Sequence, residues 1–87
     1  MNYEPLRSPQ ALRQLRRLHP THPTLIPLII AAITGLSDDP RPSGATKLVN
    51  RPEWRVRVGN YRVLYLINDK NKTVTIASVS HRRDVYR

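Results

Sequence analysis

Hydrophobic side chains follow two different periods along this 87-residue chain, and the period changes near residue 47. In the first part they recur every three or four positions, which is the spacing of one face of an α-helix. In the second part they alternate with polar side chains, as in strands that bury one face. The pattern predicts an α+β fold, with two N-terminal helices packed on a mainly antiparallel sheet of three or four strands, in a single domain over residues 1–87.

The first part of the chain predicts a short strand and a helix. Residues 2–7 are expected to form an edge strand or a broken one, because of Pro5. Ser8 and Pro9 suit the N-cap and first position of a helix over residues 9–18, whose leucines share one face. We expect that helix to end before residues 19–23, where two prolines interrupt the pattern.

A second helix is predicted over residues 25–36, which are apolar on nearly every side. Thr24 is its expected N-cap, and Gly35 stands where a left-handed C-terminal residue is expected. We expect this helix to lie between the sheet and the first helix. The alternative is that one apolar stripe stays exposed as a protein-binding or self-association surface.

Three antiparallel strands are predicted after a loop over residues 37–46. They span residues 54–58, 61–67 and 73–80. Between the first two, Gly59-Asn60 is a two-residue hairpin signal with glycine at the first central position. Counting outward from that turn pairs Arg57 with Arg62.

The pairing divides the hairpin into two faces. The face expected to pack on the helices carries apolar and aromatic side chains, namely Trp54, Val56, Val58, Tyr61, Val63 and Tyr65. The other face carries Arg55, Arg57 and Arg62. Two arginines directly opposite each other cost stability, and a bound anion such as phosphate would reverse that cost. The alternative is a solvated face on which water and salt screen the charges, and the hairpin alone favours neither.

Composition adds a strong positive charge, with 15 Lys and Arg against six Asp and Glu, a net charge of +9 and an isoelectric point near 11.1. Residues 47–87 hold ten of those basic side chains and a net charge of +7. Such an excess favours a polyanionic partner, nucleic acid first and an anionic membrane surface second. The lack of cysteine excludes disulfide, zinc-ribbon and thiol chemistry and fits a reducing cytosol. No secretory signal or membrane span is visible, so we expect a cytoplasmic protein and no membrane partner.

Candidate chemistry lies after the third strand, where His81, Arg82 and Tyr86 follow. In an antiparallel meander they come toward the same edge as Arg57 and Arg62. No carboxylate pair, metal-ligand spacing or glycine-rich phosphate loop is present, so we expect no metal and no cofactor. Metal-free cleavage of RNA is the chemistry that these residues still allow, because the ribose 2′-OH can be the nucleophile while arginines stabilise the added negative charge. His81 is the candidate base and Tyr86 the candidate proton donor or stacking ring; alternatively, His81 is an ordinary strand-end residue.

Two motifs carry a family resemblance, YRVLY at residues 61–65 and HRRDVY at residues 81–86. They resemble the RelE/ParE toxin superfamily of bacterial and archaeal toxin–antitoxin modules, and the order of elements is similar over essentially the whole chain. The resemblance implies an endoribonuclease toxin that cleaves mRNA in the ribosomal A site, inhibits translation and is silenced by a cognate antitoxin. It assigns catalytic roles to Arg62, His81, Arg82 and Tyr86. It assigns RNA or phosphate binding to Lys47, Arg55, Arg57 and Arg83.

Two departures from the family pattern accompany this resemblance. Arg55 and Arg57 stand where relatives often carry lysine, and arginine does not transfer protons. The chain stops one residue after Tyr86, so the C-terminal helix of some relatives is not expected. Two alternatives stay open: inhibition of DNA gyrase, as in the similar ParE branch, and a non-enzymatic basic module that binds RNA or DNA.

Overall fold

The computed structural model describes residues 2–81 and confirms the α+β fold expected from the pattern. Its elements, in chain order, are β1 (Glu4–Arg7), α1 (Pro9–Thr21), α2 (Leu25–Asp38), β2 (Thr46–Lys47), β3 (Trp54–Val58), β4 (Tyr61–Asn68) and β5 (Thr73–His81). The strands form one sheet in the order β1-β5-β4-β3-β2, and both helices contact it. β1 runs parallel to β5, and every other neighbouring pair of these strands is antiparallel.

The sheet has five strands where three or four were expected. The additional strand, β2, has only two residues and pairs with Trp54 and Arg55 of β3. Two residues are too few for an alternation of polar and apolar side chains to show, so the pattern does not separate β2 from the loop before it. β1 is the predicted edge strand, and it joins the sheet beside β5.

α1 ends at Thr21 rather than at residue 18, so the expectation that the prolines of residues 19–23 break it earlier was wrong. Pro20 lies in the last turn, where its missing N–H removes a single backbone hydrogen bond. The backbone N–H of His22 still donates to the Leu18 carbonyl at 2.7 Å and closes the helix.

The remaining helix ends test the predicted caps. Ser8 is an N-cap as expected, because its hydroxyl oxygen accepts a hydrogen bond from a backbone N–H of the first turn. Thr24 occupies the N-cap position of α2 but makes no side-chain capping bond. Gly35 was wrongly expected at a left-handed end, since it lies inside α2 without a positive φ. The helix instead ends where Asp39 becomes extended, as the residue before Pro40 is disfavoured in the helical region.

The hydrophobic core lies between the helices and one face of the sheet. Its buried members are Ala11, Leu18, Ile29, Ile33, Leu36, Val56, Val63, Tyr65, Val74, Ile76 and Val79. α2 contacts both the sheet and α1, but the expectation that it lies between them was wrong, because α1 also packs directly on β5. α2 also keeps apolar side chains at the surface, where Leu28 and Ile30 are 59% and 36% exposed.

The β3–β4 hairpin has the predicted register. Arg57 is the partner of Arg62, and Val56 is the partner of Val63 in the core. Gly59 has a φ of +60°, and the residue after it has no positive φ, which is the pattern of a type II′ turn. The turn therefore determines which side chains face the helices and which face away from them.

Tyr65 ties the loop after α2 to the centre of the sheet. Its side chain is fully buried, and its hydroxyl donates to the Pro40 carbonyl at 2.7 Å. Burial raises the pKa of Tyr65 to about 12. The loop is held again at its surface, where Arg41 pairs with Asp69 at 3.0 Å and its guanidinium lies 5.4 Å from the centre of the Trp54 ring. Since the loop leads into β2, these contacts position the segment beside β3.

We expect Tyr65→Phe to lower the free energy of unfolding by about 1 to 2 kcal/mol, because it leaves the buried Pro40 carbonyl without its hydrogen bond. The difference from wild type should narrow between pH 10 and about 12. In that window Tyr65 is ionised in the unfolded chain but keeps its proton in the folded chain. The free energy of unfolding of the wild type therefore falls as the pH rises, and that of the variant, which lacks the phenol, does not fall for this reason. Urea denaturation near neutral pH and across that window measures both effects. A difference that stays constant with pH would contradict the burial of the phenol.

Candidate nucleic-acid interface

The side of the sheet that faces away from the helices carries a pair of opposed arginines. Arg57 of β3 and Arg62 of β4 are register partners, and Ser80 of β5 lies on the other side of Arg62. Arg57 is exposed, whereas Arg62 is only 5% exposed. Like charges directly opposite each other are destabilising, and burial adds a desolvation cost. We call Arg55, Arg57 and Arg62 the arginine face.

The acidic residues that form ion pairs lie elsewhere. Among the described residues, ion pairs join Arg41 to Asp69 at 3.0 Å and Arg51 to Glu53 at 2.9 Å. In each pair the hydrogen-bonded guanidinium lowers the pKa of its carboxyl group. Neither pair includes Arg57, so no ion pair within residues 2–81 neutralises its charge.

A depression of about 470 Å³ opens beside the edge of β3. It is lined by Ser43, Gly44, Thr46, Arg55, Val56 and Arg57. β2 pairs with only the first two residues of β3, so in the described structure no strand covers the rest of this edge. Gly44 has a φ of +93°, a conformation that glycine adopts without strain, and the loop turns there. Two guanidiniums beside two hydroxyl side chains form a donor set that suits a phosphate.

His81 lies at the same end of the sheet as the arginine pair but on the other face. It is the register partner of Tyr61, and the two ring centroids are 5.3 Å apart in an edge-to-face arrangement. Tyr61 packs against the core on the helix side. The structure therefore brings Arg57, Arg62 and His81 to one end of the sheet, as predicted, but places the imidazole across the sheet from the guanidiniums.

A β-bulge causes this separation. The β4–β5 register shifts between Leu64 and Tyr65, so β5 contains one more residue than β4 over the paired stretch. Counting from the turn at residues 68–72 without that shift would place His81 on the face of Arg62. An extra residue moves every later side chain of β5 to the opposite face.

Lys47 is also separated from the arginine face. It is the register partner of Trp54 on the helix side, and its Nζ donates to the backbone carbonyl of Arg51. Arg55, in contrast, shares a face with Arg57, as predicted. The other predicted site residues lie outside the described part of the chain, namely Arg82, Arg83 and Tyr86.

The structure adds residues that the sequence pattern did not single out. His22, an exposed residue of the connection between the helices, has its ring centroid 5.9 Å from that of Tyr61. Ser43 and Thr46 reach the depression beside β3 through a loop that shows only turn composition. Periodicity carries no signal for such contacts, because they depend on where a connection crosses the sheet.

The part of the chain that the structure describes contains no metal-ligand cluster and no helix able to cross a membrane. No three His, Asp or Glu side chains within residues 2–81 come together. The more apolar helix, α2, has 14 residues and is too short to cross a bilayer.

Comparison with known proteins shows similarity along nearly the whole chain. The family model of the ParE toxin of type II toxin–antitoxin systems matches residues 6–86. Toxin RelG of Mycobacterium tuberculosis is 50% identical over 34 residues, a segment that spans 39% of this chain and 39% of RelG.

Two solved toxin–antitoxin complexes contain chains of the same fold. In the RelBE2 complex from Mycobacterium tuberculosis, the similar chain is 28% identical with a TM-score of 0.79, and the match covers 94% of this chain and 100% of that one. In the RelE–RelB complex from Pyrococcus horikoshii, the identity is 26% and the TM-score 0.78, over 94% and 97% of the two chains. Sequence and fold thus agree, and the chain belongs to the ParE toxin family of type II toxin–antitoxin systems, within the RelE/ParE superfamily.

Proposed function

We propose that this toxin is a metal-independent endoribonuclease that cleaves mRNA in the ribosomal A site and so inhibits translation. The observation that carries the proposal is the opposition of Arg57 and Arg62 on the side of the sheet that faces away from the helices. A scissile phosphate between the two guanidiniums would turn their repulsion into an electrostatic clamp. The RelE relatives, at 26% and 28% identity, support the branch to which the resemblance attributes mRNA cleavage.

The reaction needs no nucleophile from the protein. The ribose 2′-oxygen attacks the adjacent phosphorus and gives its proton to a base, while the 5′-oxygen leaves and takes a proton from an acid. The products are a 2′,3′-cyclic phosphate and a free 5′-hydroxyl. Negative charge grows on the phosphoryl oxygens during the attack, and Arg57 and Arg62 lower the barrier by neutralising it. Arg55 extends the positive surface along the RNA backbone.

The remaining site roles are proposed from the resemblance. Arg82 supplies positive charge, because arginine keeps its proton. His81 and Tyr86 carry the groups able to accept and donate protons. Since His81 lies on the helix side, the RNA must bend around the end of the sheet for the imidazole to approach the 2′-OH. Lys47 and Arg83 are proposed to contact the RNA backbone away from the scissile bond.

We propose a cognate antitoxin as the partner that silences the toxin, and mRNA on the ribosome as its target in the cytoplasm. The two similar structures are toxin–antitoxin complexes. A net charge of +9 favours an acidic partner, which we expect to be partly disordered when free. The arginine face and the exposed Leu28 and Ile30 of α2 are the two surfaces that such a chain would cover.

A second candidate function is inhibition of DNA gyrase without RNA cleavage. It is favoured by the description of the matching family model as a ParE toxin. A non-enzymatic module that binds RNA or DNA would use the same positive charge without cutting. Cut sites in mRNA distinguish the first function from the other two.

Primer extension on mRNA from cells that express the wild-type chain is expected to show cuts within translated codons. Arg57→Ala and Arg62→Ala should each reduce cutting about 100-fold, because each removes a charge that stabilises the attacked phosphate. Arg62→Lys keeps the positive charge but loses the bidentate guanidinium, so its cutting should be weaker than that of the wild type and stronger than that of Arg62→Ala. Lys70→Ala removes an exposed basic side chain between β4 and β5 and should cut like the wild type.

Circular dichroism of the purified variants establishes that they are folded. Folded arginine variants that cut like the wild type would show that the assignment of the arginine face is wrong. Growth arrest without cuts in mRNA, together with loss of DNA supercoiling by gyrase, would refute the nuclease function and support inhibition of gyrase. RNA binding without growth arrest and without cuts in mRNA would support the non-enzymatic binding module.

The proposed base, His81, predicts that its imidazole is needed for cleavage of ribosome-bound mRNA in vitro. His81→Ala should cut more slowly than the wild type, because it removes the group proposed to accept the proton of the 2′-OH. A folded His81→Ala that cuts at the wild-type rate would show that His81 is not the base.

Co-expression with the product of the adjacent gene is expected to relieve the arrest and to yield a complex that survives purification. Leu28→Ala, which removes exposed apolar surface from α2, should weaken the complex about tenfold and leave mRNA cutting unchanged. Thr34→Ala, at another exposed position of α2, is the matched control. Isothermal titration calorimetry of the purified pair measures both affinities, and failure to find any stable partner would contradict the toxin–antitoxin pairing.

A further inference from the structure

The helix side of the sheet carries an aromatic cluster at the hairpin end, across from the arginine face. The ring of Tyr61 contacts two imidazoles, His81 with a centroid separation of 5.3 Å and His22 with one of 5.9 Å. The interplanar angles are 88° and 65°, so neither imidazole is stacked face to face on Tyr61. Because the rings come from β4, β5 and the connection between the helices, the tertiary fold assembles the cluster.

A pocket of about 340 Å³ opens at this cluster. Besides the three rings, its lining includes Thr24, Leu25 and Asn60. Aromatic and apolar walls with a few hydrogen-bonding side chains are typical of sites for planar heterocycles. Single-stranded RNA is read in this way, with unstacked bases packed on tyrosine or histidine rings and bonded at their edges.

A guanidinium lies beside the pocket. A second depression, of about 220 Å³, shares Tyr61 and His81 with the first and includes Arg17 of α1. Arg17 is exposed and forms an ion pair with no described residue. Gln14 lines the same depression, and its side-chain oxygen is bound within the protein, where it accepts a hydrogen bond from the Val79 N–H at 2.6 Å. Arg17 thus brings a guanidinium to this depression, a group that binds phosphate.

We propose that the helix side of the hairpin end binds one nucleotide of single-stranded RNA, with its base against His22 and Tyr61 and its phosphate at Arg17. This inference rests on the RNA substrate of the proposed function and adds a second contact, on the face opposite the arginine face. Both faces end at the same hairpin, so a strand that bends around it places one nucleotide on each. The aromatic pocket then selects the base that neighbours the cut.

The neighbouring charge favours a nucleotide over an amino acid side chain. An aromatic residue of a protein partner could also fill the pocket, but it would bring no phosphate to Arg17. The chain carries a net charge of +9, which attracts the RNA backbone over a longer range. A ring joined to a negative charge is therefore the ligand that matches both depressions.

The test uses a short fluorescent 2′-O-methyl oligoribonucleotide, which can bind but lacks the hydroxyl that begins cleavage. Its dissociation constant is measured by anisotropy at several salt concentrations and one fixed pH. His22→Leu should weaken binding about tenfold with unchanged salt dependence, because it removes an aromatic contact and no phosphate contact. Arg17→Gln should weaken binding and reduce the slope of log Kd against log salt by about one.

Matched controls come from the same helix. His19→Leu and Arg13→Gln change exposed residues of α1 that line neither depression, and both should bind like the wild type. In the wild type, removal of a single base from the oligonucleotide should weaken binding about tenfold at one position. His22→Leu should add nothing further to that loss, because both changes remove the same contact.

Unchanged affinity of folded His22→Leu, or additive losses with the abasic oligonucleotide, would overturn the inference. Loss of antitoxin binding with intact RNA affinity would assign the pocket to a protein partner and overturn it as well. The oligonucleotide cannot be cut, so the result is independent of catalysis. An abasic effect without any cuts in mRNA would refute the nuclease while leaving the nucleotide site in place.

Discussion

The two-residue turn at Gly59 determines where every side chain of the central hairpin points. A slip of one residue would place Arg57 and Arg62 in the core and expose their apolar neighbours. The repulsion of two guanidiniums rises from about 1 kcal/mol in bulk water to about 4 kcal/mol near a protein surface, whereas burial of each large apolar side chain contributes about 1.5 to 3 kcal/mol, and the hairpin buries several of them. Packing therefore holds the charges together, and the arginine face exists because the opposite face of the same strands is the core.

Strict alternation made the hairpin predictable, because residues 54–58 and the glycine turn leave one register that buries the apolar face. The helix ends were less predictable. Pro20 and Gly35 are read from composition as helix breakers, yet near a helix end a proline costs one backbone bond and a glycine is only a weak helix former. β2 was missed because pairing of two residues leaves no period in the sequence.

The candidate site was predictable only where it depends on counting along uninterrupted strands. That method places Arg55, Arg57 and Arg62 on one face, as the structure does. It fails beyond the bulge in β5, where one additional residue carries His81 to the helix side. The contact of His22 with Tyr61 depends on the path of a connection, for which neither spacing nor composition provides a signal.

β1 pairs with β5, so the sheet joins segments that lie near opposite ends of the described chain. In the described sheet β4 lies between β3 and β5, so without β5 the β3–β4 hairpin has no further strand beside β4. An isolated two-stranded hairpin is marginally stable in water. The arginine face is therefore held in place only after β5 has been synthesised and has emerged from the ribosome. The proposed activity of this toxin thus depends on the strand that is synthesised last among those described.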